Sequence, residues 1–229
     1  MHPPPELIHV ANTAKEIRAR LAALDPPRTA PVRALRREFS RRIAGVASAS
    51  VMQLALLLLR DNSNNSDVRR FFTYELVSQH RHTCDQLTTA DLLTLGHGLN
   101  SWSSVDCFAM YLSGPMWMQD RISDETLVTW TSSEDRWWRR AALVSTIARS
   151  RRGDPGDSAR VARVCTLLAE DREDMVVKAL SWALRELAKK HPQPVRAFLA
   201  GHRHLLAARV LREVNNKLST GLKTPRSAR

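Results

Sequence analysis

The chain has 229 residues, with 35 Lys and Arg against 23 Asp and Glu, for a formal charge of +12. Such a balance attracts polyanions and loses much of that attraction as salt rises, without choosing between DNA, RNA and a membrane surface. Cys84, Cys107 and Cys165 are odd in number, far apart and without a Cys-x-x-Cys pair, which excludes a disulfide framework and a zinc site of familiar spacing.

The longest apolar run, Val51–Leu59, is interrupted by Gln53 and too short to span a bilayer, and no signal-peptide layout precedes it. The expectation is a soluble cytoplasmic protein with no metal and no cofactor. Of the 35 cations, 29 are arginine, whose planar guanidinium suits phosphate bidentately. Codon bias in a GC-rich genome would give the same excess.

Helical periodicity holds nearly throughout, and the alternation of a strand never holds for long. A first helix is expected over Pro5–Leu24, ended by Asp25-Pro26-Pro27. The second opens with Thr29 as N-cap and Pro31 in its first turn, and carries Arg33, Arg36, Arg37, Arg41 and Arg42. Further helices are expected over Ser50–Asp61, Asp67–His80, Thr89–Leu99, Ser104–Leu112, Asp124–Trp130 and Glu134–Arg151. Ser158–Asp171, Asp174–His191, Pro194–Ala200 and His204–Lys217 complete the series. Breaks fall at polar or Gly/Pro segments such as Asn62–Ser66 and Gly153–Asp157.

The fold class is therefore all-α. Short helices joined by short turns imply HEAT-like antiparallel helix pairs, stacked into a curved α-solenoid with a basic concave face. No sequence period is crisp, so the repeat is degenerate. The whole of residues 1–229 reads as one such domain, with residues 1–5 and 220–229 as disordered ends.

Three segments combine aromatic and charged residues. In Met175–Lys190 a step of about 100° per residue gathers Val176, Leu180, Ala183, Leu184 and Leu187 into one apolar stripe and puts Trp182 opposite it, ringed by Lys178, Arg185 and Lys189. A large hydrophobe among cations fits an anionic ligand, of which a nucleic acid is the obvious candidate. In Asn100–Asp106, the spacing Ser103-x-x-Asp106 matches a capping box, with Trp102 as a hydrophobic staple on Cys107; that structural use competes with any chemistry of Asp106. In Arg136–Leu143, Arg140 falls inside the arc of Trp137, Leu143, Val144 and Ile147, where its charge needs a carboxylate, a carbonyl or a phosphate. Trp137 and Trp138 read as packing residues. His80, His82 and Cys84 do not converge on one ion and read as exposed, while His202 and His204 suit either phosphate contact or plain surface.

Together these segments resemble the DNA alkylation repair family of AlkD-like, HEAT-repeat alkylpurine glycosylases. The matching pieces are Asn-Ser-Trp...Val-Asp at Asn100–Asp106, Trp-x-Arg-Arg-Ala-Ala at Trp137–Ala142, and Lys-Ala-Leu-Ser-Trp-Ala-Leu-Arg-Glu at Lys178–Glu186. Ala188–Pro192 extends the last, and weaker agreement covers Pro31–Arg42, Arg69–His80 and Thr88–Leu99, so the resemblance runs from about residue 28 to residue 218. Where the family often has two adjacent tryptophans before the aspartate, this chain has Trp102 alone, four residues ahead of Asp106.

The resemblance implies Asp106 as catalytic carboxylate, Trp102 and Trp182 as aromatic walls beside the lesion's sugar-phosphate, and Arg140 as a phosphate contact. Arg139, Lys178, Arg185 and Lys189 join it on the DNA. It also implies an open groove that contacts the backbone at the lesion without enclosing the base, and therefore room for bulky adducts. The expected protein is a monomeric, nucleoid-associated enzyme of the bacterial cytosol, acting on duplex DNA that contains alkylated purines.

The chemistry follows once a cationic base is assumed. Alkylation at purine N3 or N7 makes the base a neutral leaving group, so the site must chiefly stabilise an oxocarbenium-like sugar with a carboxylate and indole faces. No lysine is placed as a Schiff-base nucleophile, so the glycosylase is expected to be monofunctional and to leave an abasic site. The alternative is a noncatalytic helical-repeat module that binds DNA by shape and charge; an RNA- or protein-binding solenoid is more remote.

Overall fold

The computed structural model describes residues 9–60 and 66–225. Among them there is no strand: the chain is all-α. Its contacts divide it into two compact units, Met1–Leu112 and Ser113–Arg229.

The first unit contains α1 (Val10–Ala22), α2 (Thr29–Arg42), α3 (Ser48–Leu59), α4 (Ser66–Gln79), α5 (Arg81–Gln86), α6 (Thr89–Leu95) and α7 (Trp102–Phe108). Helix α4 packs on both α2 and α7, while α3 lies against α1, α4 and α5. Ile17, Phe39, Leu54, Leu58 and Phe72, all 0% exposed, fill the space between them, and Phe39 meets Phe72 edge-on at 6.2 Å. Burying each such side chain stabilises by about 1.5–3 kcal/mol.

A π-helical turn over Ala109–Ser113 follows α7 directly. The second unit continues with α8 (Gly114–Met118), α9 (Asp124–Thr131), α10 (Arg136–Arg152), α11 (Asp157–Leu167), α12 (Asp174–Leu187), α13 (Pro192–Gly201) and α14 (Ala208–Thr220). Alternate helices pack on one another, α8, α10, α12 and α14 in one row and α9, α11 and α13 in another. Two such rows, bridged by contacts between sequential neighbours, are the packing of stacked helix pairs in an α-solenoid. Along α12 the expected stripe is fully internal, with Val176, Leu180, Ala183, Leu184 and Leu187 each 0–1% exposed.

Several boundaries differ from the sequence reading, for local reasons. Thr29 is the first residue of α2 rather than its N-cap; Arg28 holds the extended cap conformation, which leaves Pro31 inside the first turn where its missing N–H costs nothing. The single helix expected over Ser104–Leu112 starts two residues earlier and gives way to the π turn. Pro115 has no N–H for the Tyr111 carbonyl, so a widened turn fits where the regular ladder is interrupted anyway. Helix α5, over Arg81–Gln86, falls between the expected helices Asp67–His80 and Thr89–Leu99 and is not among the elements expected from the sequence. His80 caps it and is 6% exposed rather than solvent-facing, with Nε2 donating to the Ile43 carbonyl at 3.0 Å and Nδ1 accepting from Thr83 N–H at 3.3 Å. His82 is exposed, as expected.

The last helix extends to Thr220 and is closed by Gly221 in the left-handed conformation, so an ordered cap occupies the start of the stretch expected to be a loose end. Residues 1–8, 61–65 and 226–229, which include all of the first expected end, the last four residues of the second, the Pro5–Ile8 start of the first expected helix and most of the Asn62–Ser66 break, lie outside the described residues.

Gly98 carries a tight demand. Its φ is +68°, and an added Cβ would stand 3.2 Å from Nη2 of Arg70. Gly98→Ala is expected to destabilise by about 1–2 kcal/mol, read as a lowered urea midpoint with unchanged slope.

Candidate functional site

Helix α7 begins with a capping box made by Ser101 and Ser104. Ser101 Oγ accepts from Ser104 N–H at 3.0 Å, and Ser104 Oγ accepts from Ser101 N–H at 3.3 Å. The box expected at Ser103 and Asp106 therefore does not form; the helix starts two residues sooner and Asp106 is not its reciprocal acceptor. Nor is Trp102 a staple ahead of the cap. It is the first helical residue, and at 59% exposure it is a large hydrophobe standing in solvent. Asp106 follows at i+4, on the same side of the helix one turn on, and is half-buried.

A cavity of about 280 Å³ lies beside this helix, lined by Pro27, Thr29, Val32, Asp67, Val68, Phe71, Ser103 and Cys107. Burial, reinforced by the charges of Asp106 and Asp67, pushes the Cys107 thiol up to about 12. It is a protonated, unreactive lining group at neutral pH.

The other expected residues belong to the second unit. Trp182 is half-buried on α12, opposite the apolar stripe. Its neighbouring cations are paired. Lys178 Nζ meets Asp174 at 2.7 Å, Lys189 Nζ meets Glu186 at 2.8 Å, and Arg185 lies 3.3 Å from Ser181 Oγ and 3.8 Å from Glu213. Lys178 and Lys189 keep nearly half of their side chains exposed, whereas Arg185 is mostly covered and burial pushes its pKa down.

Arg140 is 5% exposed and donates from Nη1 to the Met175 carbonyl at 2.6 Å, on the contact between α10 and α12. Of the partners allowed by the sequence, a carbonyl is thus one. Arg139 is tied from Nε to Asp171 at 2.7 Å and from Nη1 to the Ser133 and Glu134 carbonyls at 2.9 and 2.8 Å. Trp138 packs on Trp130 with ring centres 4.9 Å apart, and Arg136 covers Trp137 at 4.9 Å. His202 stacks on Phe198 at 4.3 Å.

The residues named from the sequence thus fall into two groups, Trp102 and Asp106 on α7 and the rest on α10 and α12. The Ser101–Ser104 box was passed over, although Gly98 three residues ahead was a usable signal: a left-handed glycine ends the preceding turn and makes room for an early cap. Among the described residues no cluster of three or more His, Cys, Asp or Glu is arranged to hold a metal ion, and no helix is long and apolar enough to cross a membrane.

A protein-family model described as "DNA alkylation repair enzyme" matches residues 12–218. No curated protein matches the chain.

Proposed function

Because the chain belongs to the family of DNA alkylation repair enzymes, we propose that it is a monofunctional DNA N-glycosylase, releasing cationic N3- and N7-alkylated purines from duplex DNA by hydrolysis. Membership makes it an enzyme of alkylation-damage repair with DNA as its substrate. The finer reading rests above all on α7, where an exposed indole and a carboxylate one turn away share a helix face that already has its own cap.

Asp106 lies beneath the developing positive charge on the deoxyribose and orients the attacking water. Trp102 offers its π face to the same charge. A purine alkylated at N3 or N7 departs neutral, so no acid has to protonate it; neutral lesions, which need that proton, are poor substrates. Trp182 on α12 packs against the DNA backbone. Lys178, Arg185 and Lys189 face phosphate, each already paired with a carboxylate or hydroxyl that must be partly exchanged. Arg139 and Arg140 first fix the α10–α12 frame that presents Trp182, and any phosphate contact of theirs comes second.

The test is product analysis of methylated duplex DNA. Wild-type protein is expected to release N7-methylguanine and N3-methyladenine and to leave abasic sites without strand scission. Binding with no release would replace this reading by that of a noncatalytic DNA-binding module. Trp182→Ala is expected to weaken duplex binding or slow release, measured as a raised Kd by fluorescence anisotropy and as a lowered release rate. An unchanged Kd and unchanged release rate would remove Trp182 from the mechanism.

A further inference from the structure

Helix α4 packs on α7, and it also holds the segment that leads into α7. Asp67, Arg70 and Tyr74 stand at i, i+3 and i+7, on one face of α4. Tyr74 donates its hydroxyl hydrogen to the Leu95 carbonyl at 3.0 Å, and accepts from Arg70 Nη1 at 2.8 Å. Arg70 Nη2 donates to the carbonyls of His97 at 3.1 Å and Gly98 at 2.8 Å. Asp67 accepts from Ser101 Oγ at 2.5 Å. Successive residues of one helix thus grip residues 95 to 101 in order, down to the cap of α7.

The last contact controls the direction of the cap. A serine hydroxyl has one hydrogen and two lone pairs. Ser101 Oγ stands 2.5 Å from Asp67 and 3.0 Å from Ser104 Oγ, and an ionised carboxylate can only accept. The hydrogen therefore points to Asp67, which leaves the lone pairs of Ser101 Oγ for Ser104 N–H, while Ser104 Oγ donates to the Ser101 carbonyl at 2.9 Å. Every polar hydrogen of the box then has an acceptor: Ser101 N–H on Ser104 Oγ, Ser104 N–H on Ser101 Oγ, the Ser101 hydroxyl on Asp67 and the Ser104 hydroxyl on the Ser101 carbonyl. Asp67 also puts its negative charge at the N-terminal end of α7 and in the first turn of α4, favourable at both.

We propose that Asp67 is a positioning residue for base release: through Ser101 it fixes the start of α7, and so the aim of Trp102 and Asp106. The proposal rests on the reading of α7 as the catalytic helix. Misplacement of a reacting group by about 1 Å is enough to cost up to a hundredfold in rate. A helix of two turns held at its first residue transmits any tilt of the cap directly to both side chains.

The experiment compares wild type, Ser101→Gly, Asp67→Ala, the double variant and Ser101→Thr. Measured for each are the single-turnover rate of N7-methylguanine release under saturating protein, Kd for undamaged duplex, and Tm. Glycine is a tolerable N-cap, within a few tenths of a kcal/mol of serine, so Ser101→Gly removes the link to Asp67 while keeping the helix. Each single variant is expected to lose about ten- to a hundredfold in single-turnover rate with Kd nearly unchanged. The double variant is expected to be no slower than the slower single one, because both break one linkage. Ser101→Thr, which keeps the hydroxyl, restores the rate.

A full rate in Ser101→Gly, losses that multiply in the double variant, or losses that appear only in Tm and Kd overturn the positioning role alone. No release by wild-type protein overturns it together with the reading of α7.

Discussion

Asp106→Asn is expected to slow release of N7-methylguanine from methylated duplex by about three orders of magnitude, with duplex affinity close to wild type. The magnitude comes from Coulomb's law: a carboxylate about 4 Å from a developing unit charge contributes roughly 4 kcal/mol at an effective dielectric near 20, and each 1.36 kcal/mol is tenfold. In bulk water the same geometry gives about 1 kcal/mol, so the size of the effect also reports how well bound DNA excludes solvent. Asparagine keeps the shape and loses the charge. The cap of α7 is made by Ser101 and Ser104, so the start of the helix survives the substitution. A variant that releases base as fast as wild type while melting earlier would return Asp106 to a structural role.

The largest effect on stability is expected at Arg149. This side chain is 2% exposed, and its guanidinium joins Asp157 at 2.8 Å, Asp120 at 2.6 Å and the Trp117 carbonyl at 2.6 Å while lying 4.8 Å over the Trp117 ring. Arg149→Met preserves much of the stem volume but leaves Asp157 buried with one cation fewer. Removing one partner of a buried ion pair costs about 3–5 kcal/mol, which urea unfolding will register. A cost below about 1 kcal/mol would mean that Arg152, 2.9 Å from the same carboxylate, compensates alone.

The same network sets the acid limit. Burial by itself would raise Asp157, but hydrogen bonds from Arg152 and Arg149 outweigh it and hold the carboxyl below its ordinary value of 3.8. In Asp124, burial is likewise outweighed, there by Arg160 and Trp117, and Asp120 is lowered chiefly by Arg160. Since each folded value lies below the unfolded one, this stabilisation is complete above about pH 4 and is lost as the pH falls through the folded values. The urea midpoint is expected to drop on acidification below pH 4, and Arg149→Met to flatten that drop.

Much of this molecule could be read before its coordinates. The stripe on α12 was legible because five apolar residues at helical spacing have only one way to be buried. The two-row packing followed from many short helices with short joints. Caps were less legible: Asn100–Asp106 holds three serines and an aspartate, so two overlapping boxes fit the spacing, and the hydrogen bond that ties Ser101 to its place comes from Asp67, thirty-four residues upstream. Trp138, read as a packing residue, does pack on Trp130. The carbonyl partners of Arg70, Arg140 and Arg149 were not legible, because backbone carbonyls carry no sequence signal. The π turn was hidden for a related reason, with Pro115 alone marking the interruption.

Those internal arginines separate approach from grip. Arg69, Arg70, Arg140 and Arg149 are all at most 6% exposed, and Arg70 uses donors on the neutral carbonyls of His97 and Gly98, so its charge still adds to the field while that part of its reach is spent inside. A distant duplex responds to the total field, which quickens encounter. Once docked, it displaces only as many condensed counterions as there are outward-facing cations able to touch it. Rapid arrival joined to a modest hold suits a protein that must sample long stretches of intact helix between rare lesions.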